Sequence, residues 1–201
     1  MKTLLIIDVQ NDFMPDGALP VPNGDKIVSI INEIQHKFDL VIATQDWHPE
    51  DHISFASNHK GLSPFDEIKI NAQPQILWPN HCVQGSKGAE LHPKLNTLKC
   101  ETIFRKGTDK EMDSYSAFFD NGHQKSTGLA GYLKEKGTTE LFICGLAADI
   151  CVYYSIRDAV KDGFNCFFIE DASEALDKKS FKKIKEDMID MGVKIISSKL
   201  I

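Results

Sequence analysis

The sequence predicts an α/β protein built on a parallel sheet with helices on both faces, and three observations carry that expectation. Six short apolar runs read as buried strands: TLLIIDV (3–9), LVIAT (40–44), ETIFRK (101–106), ELFICGL (140–146), NCFFIED (165–171) and VKIIS (193–197). Helical stretches fall between them at about 24–38, 126–136, 149–162 and 178–190, the last an amphipathic, Lys-rich surface helix. Strand, helix and strand follow one another repeatedly, and crossovers of that kind bring successive strands into parallel pairing under two helical layers.

Composition bounds the setting. With 201 residues, 42% hydrophobic and 26% charged, residues 1–201 are expected to form a single domain with a sizeable core. A net charge of −6 offers no long-range attraction to phosphate backbones or acidic membranes, so nucleic acid and membrane partners are not expected. The N-terminal LLII is interrupted by Asp8 and carries no cleavage-site pattern, and no apolar stretch approaches the roughly 20 residues that span a bilayer. Five scattered cysteines (82, 100, 144, 151 and 166) form no C-x-x-C pair, which fits a reducing, cytoplasmic compartment. Nothing in the chain reads as a repeat, a linker or a phosphate-cradling GxGxxG loop, and oligomeric state is left open.

In an open parallel sheet ligands bind beyond the carboxyl ends of the strands, so the residues that close each strand come first. The first strand ends in Asp8, the second in Asp46 and His48, the third in Lys106, and the fourth runs into GLAADIC with Cys151. Singly each has a plain structural explanation: a turn cap, a solvated charge, or one more small buried thiol. Together a carboxylate, an ammonium and a thiol on one rim are the parts of a nucleophilic hydrolase. A thiol of ordinary pKa, about 8.5, needs an electropositive site or a base to attack. Cys151 lies near a helix start that favours the thiolate, Lys106 adds positive charge, and Asp8 can accept the thiol proton. The same helix start would aim the N–H groups of Ala147 and Cys151 at an oxyanion.

Residues 45–100 break the rhythm: Pro49, Pro64, Pro74, Pro79 and Pro93, most of the histidines and both tryptophans lie in one irregular insertion, and a loop of that length is usually functional. It opens with TQDWHPEDH (44–52), where Asp46, His48 and His52 stand at spacings that suit either a metal-binding turn or a polar loop. The spacing alone does not decide between them, because a site needs further ligands.

The segments IIDVQNDF, QDWHPEDHISFA, WPNHCVQGS, FRKG, DSYSAFF and GLAADICV resemble, in order and spacing, the nicotinamidases among the isochorismatase-like cysteine hydrolases, from residue 1 to about 171. The resemblance implies a three-layer α/β/α Rossmann-like fold with a central, mostly parallel sheet. It implies hydrolysis of nicotinamide to nicotinate and ammonia in NAD salvage, with pyrazinamide as a second substrate. It maps the Asp, Lys, Cys triad onto Asp8, Lys106 and Cys151, and a non-proline cis peptide onto Leu146–Ala147. It also supplies His81 as the missing ligand, so that Asp46, His48 and His81 would hold one divalent ion, zinc before iron(II) or manganese. His52 is then a further ligand or a group that orients one. Phe13 and Trp78 are the aromatic candidates to sandwich the ring, with core filling as their ordinary alternative, and Tyr115 is a candidate for the pocket wall or an interface. Cys82, beside His81, is assigned to packing. A true isochorismatase is disfavoured because that branch lacks the nucleophilic cysteine. Another amidase or carbamoyl hydrolase, or a binding module without turnover, remains as an alternative.

Overall fold

The computed structural model describes residues 1–70 and 73–201. Its central strand, β1 (Lys2–Ile7), is buried along almost its whole length because both faces are covered. Leu4 and Ile6 enter one core, Leu5 and Ile7 the other, as the two-residue period of a strand requires. β2 (Leu40–Asp46) runs parallel to β1 and is buried throughout. On the first face lies α1 (Ile27–Ile34), which buries Ile27, Val28, Ile31 and Ile34, the stripe of an amphipathic helix.

The insertion is not wholly irregular. It contains an antiparallel hairpin of β3 (Glu67–Ile70) and β4 (Gln73–Ile76) that the local sequence pattern does not announce. Its residues are short, polar and interrupted by Pro74, and Pro74 is tolerated because it sits opposite Lys69 in a two-stranded sheet. Trp78, Cys82, Ala89 and Leu95 of the insertion join the α1-side core, so this segment completes a layer that would otherwise leave β1 and β2 half bare.

β5 (Cys100–Lys106) pairs with β2 at one edge of the sheet and alternates between sheltered and exposed residues, as an edge strand covered on one face does. α2 (Leu129–Glu135) and β6 (Glu140–Gly145) follow. Next come a π-helical turn, Ala148–Val152, and α3 (Tyr153–Lys161). β7 (Asn165–Ser173), α4 (Lys178–Asp190) and β8 (Lys194–Ile196) complete the chain. Asp177 caps α4 by accepting from the N–H groups of Lys179 at 2.9 Å and Ser180 at 3.4 Å. Leu129, Leu133, Ile156, Ala159 and Met188 from α2, α3 and α4 form the second core.

The strand order is β5-β2-β1-β6-β7-β8, and every pairing in this sheet is parallel. The three layers match the expected α/β/α arrangement, with a wholly parallel central sheet. The chain steps outward from β1 through β2 to β5, then returns to the other side of β1 with β6. That reversal opens a crevice at the carboxyl ends of β1 and β6, where such sheets bind ligands. No helix among the described residues is long and apolar enough to cross a membrane.

Close approach of β1 and β6 at this crevice depends on Gly145. Its φ is +123°, and a Cβ there would stand 2.1 Å from the Ile7 carbonyl oxygen. Gly145→Ala is therefore expected to lose about 3 kcal/mol or more of stability, since neither the backbone conformation nor the space admits a methyl group. Gly131, exposed in α2 with no atom in the way, gives the opposite result. Gly131→Ala should gain roughly 0.5–1 kcal/mol. Urea denaturation of both variants checks the pair, and a Gly145→Ala protein as stable as the parent would refute the packing argument.

Candidate active site

Three strand ends supply the charged groups. Asp8 follows β1 in the left-handed conformation, with φ +47°, and is fully buried. Thr44 holds it twice: the Thr44 hydroxyl donates to Asp8 Oδ1 at 2.6 Å and accepts from the Asp8 N–H at 3.1 Å. Asp46 and Lys106 are register partners at the ends of β2 and β5, so their side chains emerge together. Gln10 fixes the Asp46 backbone from both sides, accepting from its N–H and donating to its carbonyl, each at 2.8 Å.

The Lys106 ammonium lies 2.9 Å from Asp8 Oδ2, 3.0 Å from Asp46 Oδ1 and 3.5 Å from Cys151 Sγ, and it also donates to the Ser114 carbonyl at 2.9 Å. Cys151 sits in the π-helical turn after β6, where the N–H groups of Ile150 and Val152 both return to the Ala147 carbonyl at 3.1 Å. The Leu146–Ala147 peptide bond is cis. The Asp149 carboxylate accepts from the N–H groups of Leu176 and Asp177, drawing the segment after β7 over this turn.

Burial works against the Lys106 ammonium, but the Asp46 and Asp8 carboxylates outweigh it and hold its pKa well above the ordinary value. Burial pushes Asp8 up, with Lys106 opposing. It would do the same to Asp46, but His48 and Lys106 bring that carboxyl well below its ordinary range. Burial also raises the Cys151 thiol well above its ordinary value, Lys106 lowers it, and the two carboxylates raise it further. The resting group is thus a protonated thiol. Burial is the largest influence on it and opposes the thiolate that the sequence suggests. Among the described residues Cys151 is the one cysteine within hydrogen-bonding distance of an ammonium. Burial raises Cys82 as well, while Cys100 and Cys166 are pushed up to about 11 and about 12.

A second corner adjoins the first. His48 Nε2 lies 3.0 Å and His81 Nε2 3.6 Å from Asp46 Oδ2. His48 Nδ1 faces the Gly107 carbonyl at 3.0 Å, and His81 Nδ1 faces the Pro79 carbonyl at 2.8 Å. A carbonyl can only accept, so each Nδ1 carries a proton, and each Nε2 faces the same carboxylate oxygen. Two imidazoles and a carboxylate that bring one ligand atom each to a common point suit a divalent metal. Gly107 makes the approach feasible: at φ +64°, a Cβ would stand 2.4 Å from His48 Cε1.

His52 falls outside this set and groups instead with His48 and Asp113. Its ring lies 4.3 Å from that of His48, its Nδ1 pairs with the Ser54 hydroxyl at 2.7 Å, and its buried Nε2 has no partner among the described residues. Burial first, then the neighbouring His48, lowers its pKa to about 4, so it is neutral near pH 7.

Both corners open onto one cavity, through Cys151 on one side and Asp46 and His81 on the other. Phe13, Trp78 and Tyr115 supply its aromatic wall, beside Asp46, His81, Ala147 and Cys151. Leu19, Val21, Ile150, Leu176 and Asp113 complete the lining, and nothing in their local sequence pattern separates them from core or loop residues. Gln10 and Thr44 are likewise unmarked by any motif. Their one signal is position, two residues beyond Asp8 and two before Asp46 at strand ends.

The contact between Lys106 and Cys151 generates a test. Lys106→Ala should raise the Cys151 pKa further and slow its alkylation by iodoacetamide at pH 7–8, because the thiolate fraction falls about tenfold each time the pKa rises by one. Peptide mapping follows the rate at this cysteine, and unchanged kinetics would separate the lysine from the thiol.

Comparison with known proteins extends these observations to the whole chain. A family model described as the isochorismatase domain matches residues 2–199. The nicotinamidase of Acinetobacter baylyi is 48% identical over 197 residues, covering 98% of this chain and 92% of that protein. The solved nicotinamidase/pyrazinamidase of Acinetobacter baumanii superposes with a TM-score of 0.95 at 45% identity, covering 98% of this chain and 96% of that one. The pyrazinamidase of Pyrococcus horikoshii, solved in complex with zinc, gives a TM-score of 0.80 at 36% identity over 97% and 98% of the two chains. With a match that runs from the first strand to the last, this chain belongs to the isochorismatase family of hydrolases.

Proposed function

We propose that this protein is a metal-dependent cysteine amidohydrolase that converts nicotinamide to nicotinate and ammonia in NAD salvage, and that it also accepts pyrazinamide. The observation that carries the reading is the contact of Lys106 with both Asp8 and Cys151, the cysteine lining an aromatic-walled cavity. The similarity to nicotinamidases and pyrazinamidases supports the choice of amide. The aromatic lining suits one flat ring with a carboxamide. Phe13 and Trp78 would hold the ring, and pyrazinamide differs by a single ring nitrogen.

In the proposed sequence Asp8 accepts the Cys151 proton and the thiolate attacks the amide carbon, forming the C–S bond. The N–H groups of Ala147 and Cys151 receive the oxyanion. In support, the Ala147 N–H has no protein acceptor among the described residues. As the C–N bond breaks, Asp8 returns its proton to the departing ammonia. Asp8 then takes a proton from water, which cleaves the thioester to nicotinate and restores the thiol. Lys106 keeps a positive charge beside whichever of Asp8 and Cys151 is ionised.

Asp46, His48 and His81 are the proposed metal ligands within a metal-site segment at about 45–100 of a single domain, with zinc as the first choice. What a divalent ion supplies there is a Lewis-acid contact for a ring nitrogen. His52 would pack against His48 and steady it. The free thiols agree with a cytoplasmic setting.

Two outcomes are expected. Purified protein should release ammonia from nicotinamide, and Cys151→Ala should lose essentially all turnover while still binding nicotinate. Rapid quenching of the unmodified enzyme should give a nicotinoyl adduct on the peptide containing GLAADIC, and an adduct confined to another cysteine would overturn the mechanism. Separately, chelation should abolish activity and a divalent metal should restore it. Elemental analysis should find His81→Ala depleted of metal and His52→Ala less affected; equal depletion would make His52 a ligand.

A further inference from the structure

Asp12 has no role in the proposed reaction and is not among the proposed ligands, yet its carboxylate joins the loop after β1 to the turn that carries His81. Its Oδ2 accepts the Cys82 N–H at 2.7 Å, and its Oδ1 accepts the Ala18 N–H at 3.3 Å. Its own backbone is tied on both sides, the N–H donating to the Gly88 carbonyl at 3.0 Å and the carbonyl accepting the Leu19 N–H at 2.9 Å. Gly88 also lies close against the side chain. The three nearest atoms that a Cβ there would meet are the Asp12 carboxyl carbon and its two oxygens, at 2.1 to 2.3 Å.

The Cys82 N–H shares a planar peptide group with the His81 carbonyl, so a bond to it fixes the backbone on the C-terminal side of His81. The next peptide plane is held as well, because the Cys82 carbonyl accepts the His48 N–H at 3.0 Å. Between the two planes Cys82 has φ +48°, a left-handed conformation that a residue with a Cβ keeps only when its surroundings hold it there. One short path therefore runs from the Asp12 carboxylate through the Cys82 backbone to His48. At its two ends His81 and His48 face the same oxygen of Asp46. The bond from His81 Nδ1 to the Pro79 carbonyl, 2.8 Å long, orients the ring but does not hold the backbone that follows it.

We propose that Asp12 is a positioning residue for the metal corner: by holding the His81–Cys82 peptide and the left-handed turn at Cys82, it keeps His81 and His48 turned toward Asp46. This rests on the reading of Asp46, His48 and His81 as metal ligands. Without the carboxylate, Cys82 is free to leave the left-handed region, and ordering the two imidazoles then draws on the binding energy of the ion.

Zinc affinity, measured by competition with a chromogenic chelator, should fall about tenfold in Asp12→Ala, the lower end of the loss that follows removal of a group supporting a metal ligand. Urea denaturation separates this role from simple stabilisation of the fold. A bond that only secures the fold lowers stability equally in EDTA and in excess zinc, whereas a tenfold weaker site also shrinks the stabilisation that zinc supplies, by about 1.4 kcal/mol. Gly88→Ala should repeat the loss with Asp12 intact, since its methyl group must displace the carboxylate, and it serves if Asp12→Ala fails to fold. The double variant should match Asp12→Ala, because the methyl group then has no carboxylate to displace. Asp12→Asn keeps one oxygen to accept the Cys82 N–H and should fall between Asp12→Ala and the parent. An unchanged zinc increment in Asp12→Ala, or losses that multiply in the double variant, would overturn the proposal. A parent that binds no zinc overturns the ligand assignment together with the proposal, whereas a parent that binds zinc no more tightly than Asp12→Ala overturns the proposal alone.

Discussion

A single buried ammonium organises this end of the molecule. Removing a lysine charge from water costs several kcal/mol unless partners replace the lost hydration, and Lys106 has four: two carboxylates, a carbonyl and a thiol. Those partners come from the end of β1, from β2, from the loop after β5 and from the turn after β6, so satisfying one charge requires all of these segments to be in place. The register of β2 and β5 sets Asp46 beside Lys106 before any side chain is considered. Asp46 then faces two ways, with Oδ1 on the ammonium and Oδ2 on the imidazoles of His48 and His81. The thiol corner and the histidine corner are thus linked through one carboxylate, and a disturbance of either reaches the other by way of Asp46.

The fold makes that convergence feasible because it occurs where the sheet already opens. Reversal of strand order beside β1 parts the crossovers, and the insertion covers the gap from one side with Trp78 and His81 while its apolar residues extend the core beneath. Small residues permit the tightest approaches: Gly145 lets β6 close on Ile7, and Gly107 lets His48 reach a backbone carbonyl. The insertion is therefore structural and functional at once. Its apolar positions secure the layer, and its polar positions deliver the groups that face the cavity.

What can be read from the sequence follows the same division. The main sheet is legible because burial on both faces of its inner strands demands nearly continuous apolar runs, and the strand-end rule points to Asp8, Asp46, Lys106 and Cys151 without any family resemblance. The β3–β4 hairpin is not legible, since EIKI and QPQI are short, polar and broken by proline. The start of the third helical stretch reads as ordinary α-helix, whereas the chain makes a π-helical turn that carries Cys151. Gln10 and Thr44 leave no mark in the sequence because a polar residue acquires a role only through the partners the fold brings to it. The resting protonation of Cys151 is hidden for a related reason: a helix start is visible in sequence, but the desolvation that opposes the thiolate is a property of the packed site.

That desolvation does not obstruct the proposed chemistry, because it acts alike on both ends of the proton transfer. Ionising a buried thiol into water would add a charge to the interior and incur the full cost of burial. Passing the proton from Cys151 to Asp8 instead exchanges one buried anion for another, and the net charge of the site stays constant. Both anions contact the same ammonium, 2.9 Å away from the carboxylate oxygen and 3.5 Å from the sulfur. The Coulomb attraction lost at Asp8 is largely recovered at the thiolate, so the energy of transfer depends on small differences in distance and hydrogen bonding. Thr44 bears on that difference, since its hydroxyl donates to Oδ1 and favours the ionised carboxylate. A buried Asp–Lys–Cys cluster can thus hold a neutral thiol at rest and still yield a thiolate when an amide carbon is in reach, because the lysine stabilises whichever member of the pair carries the negative charge.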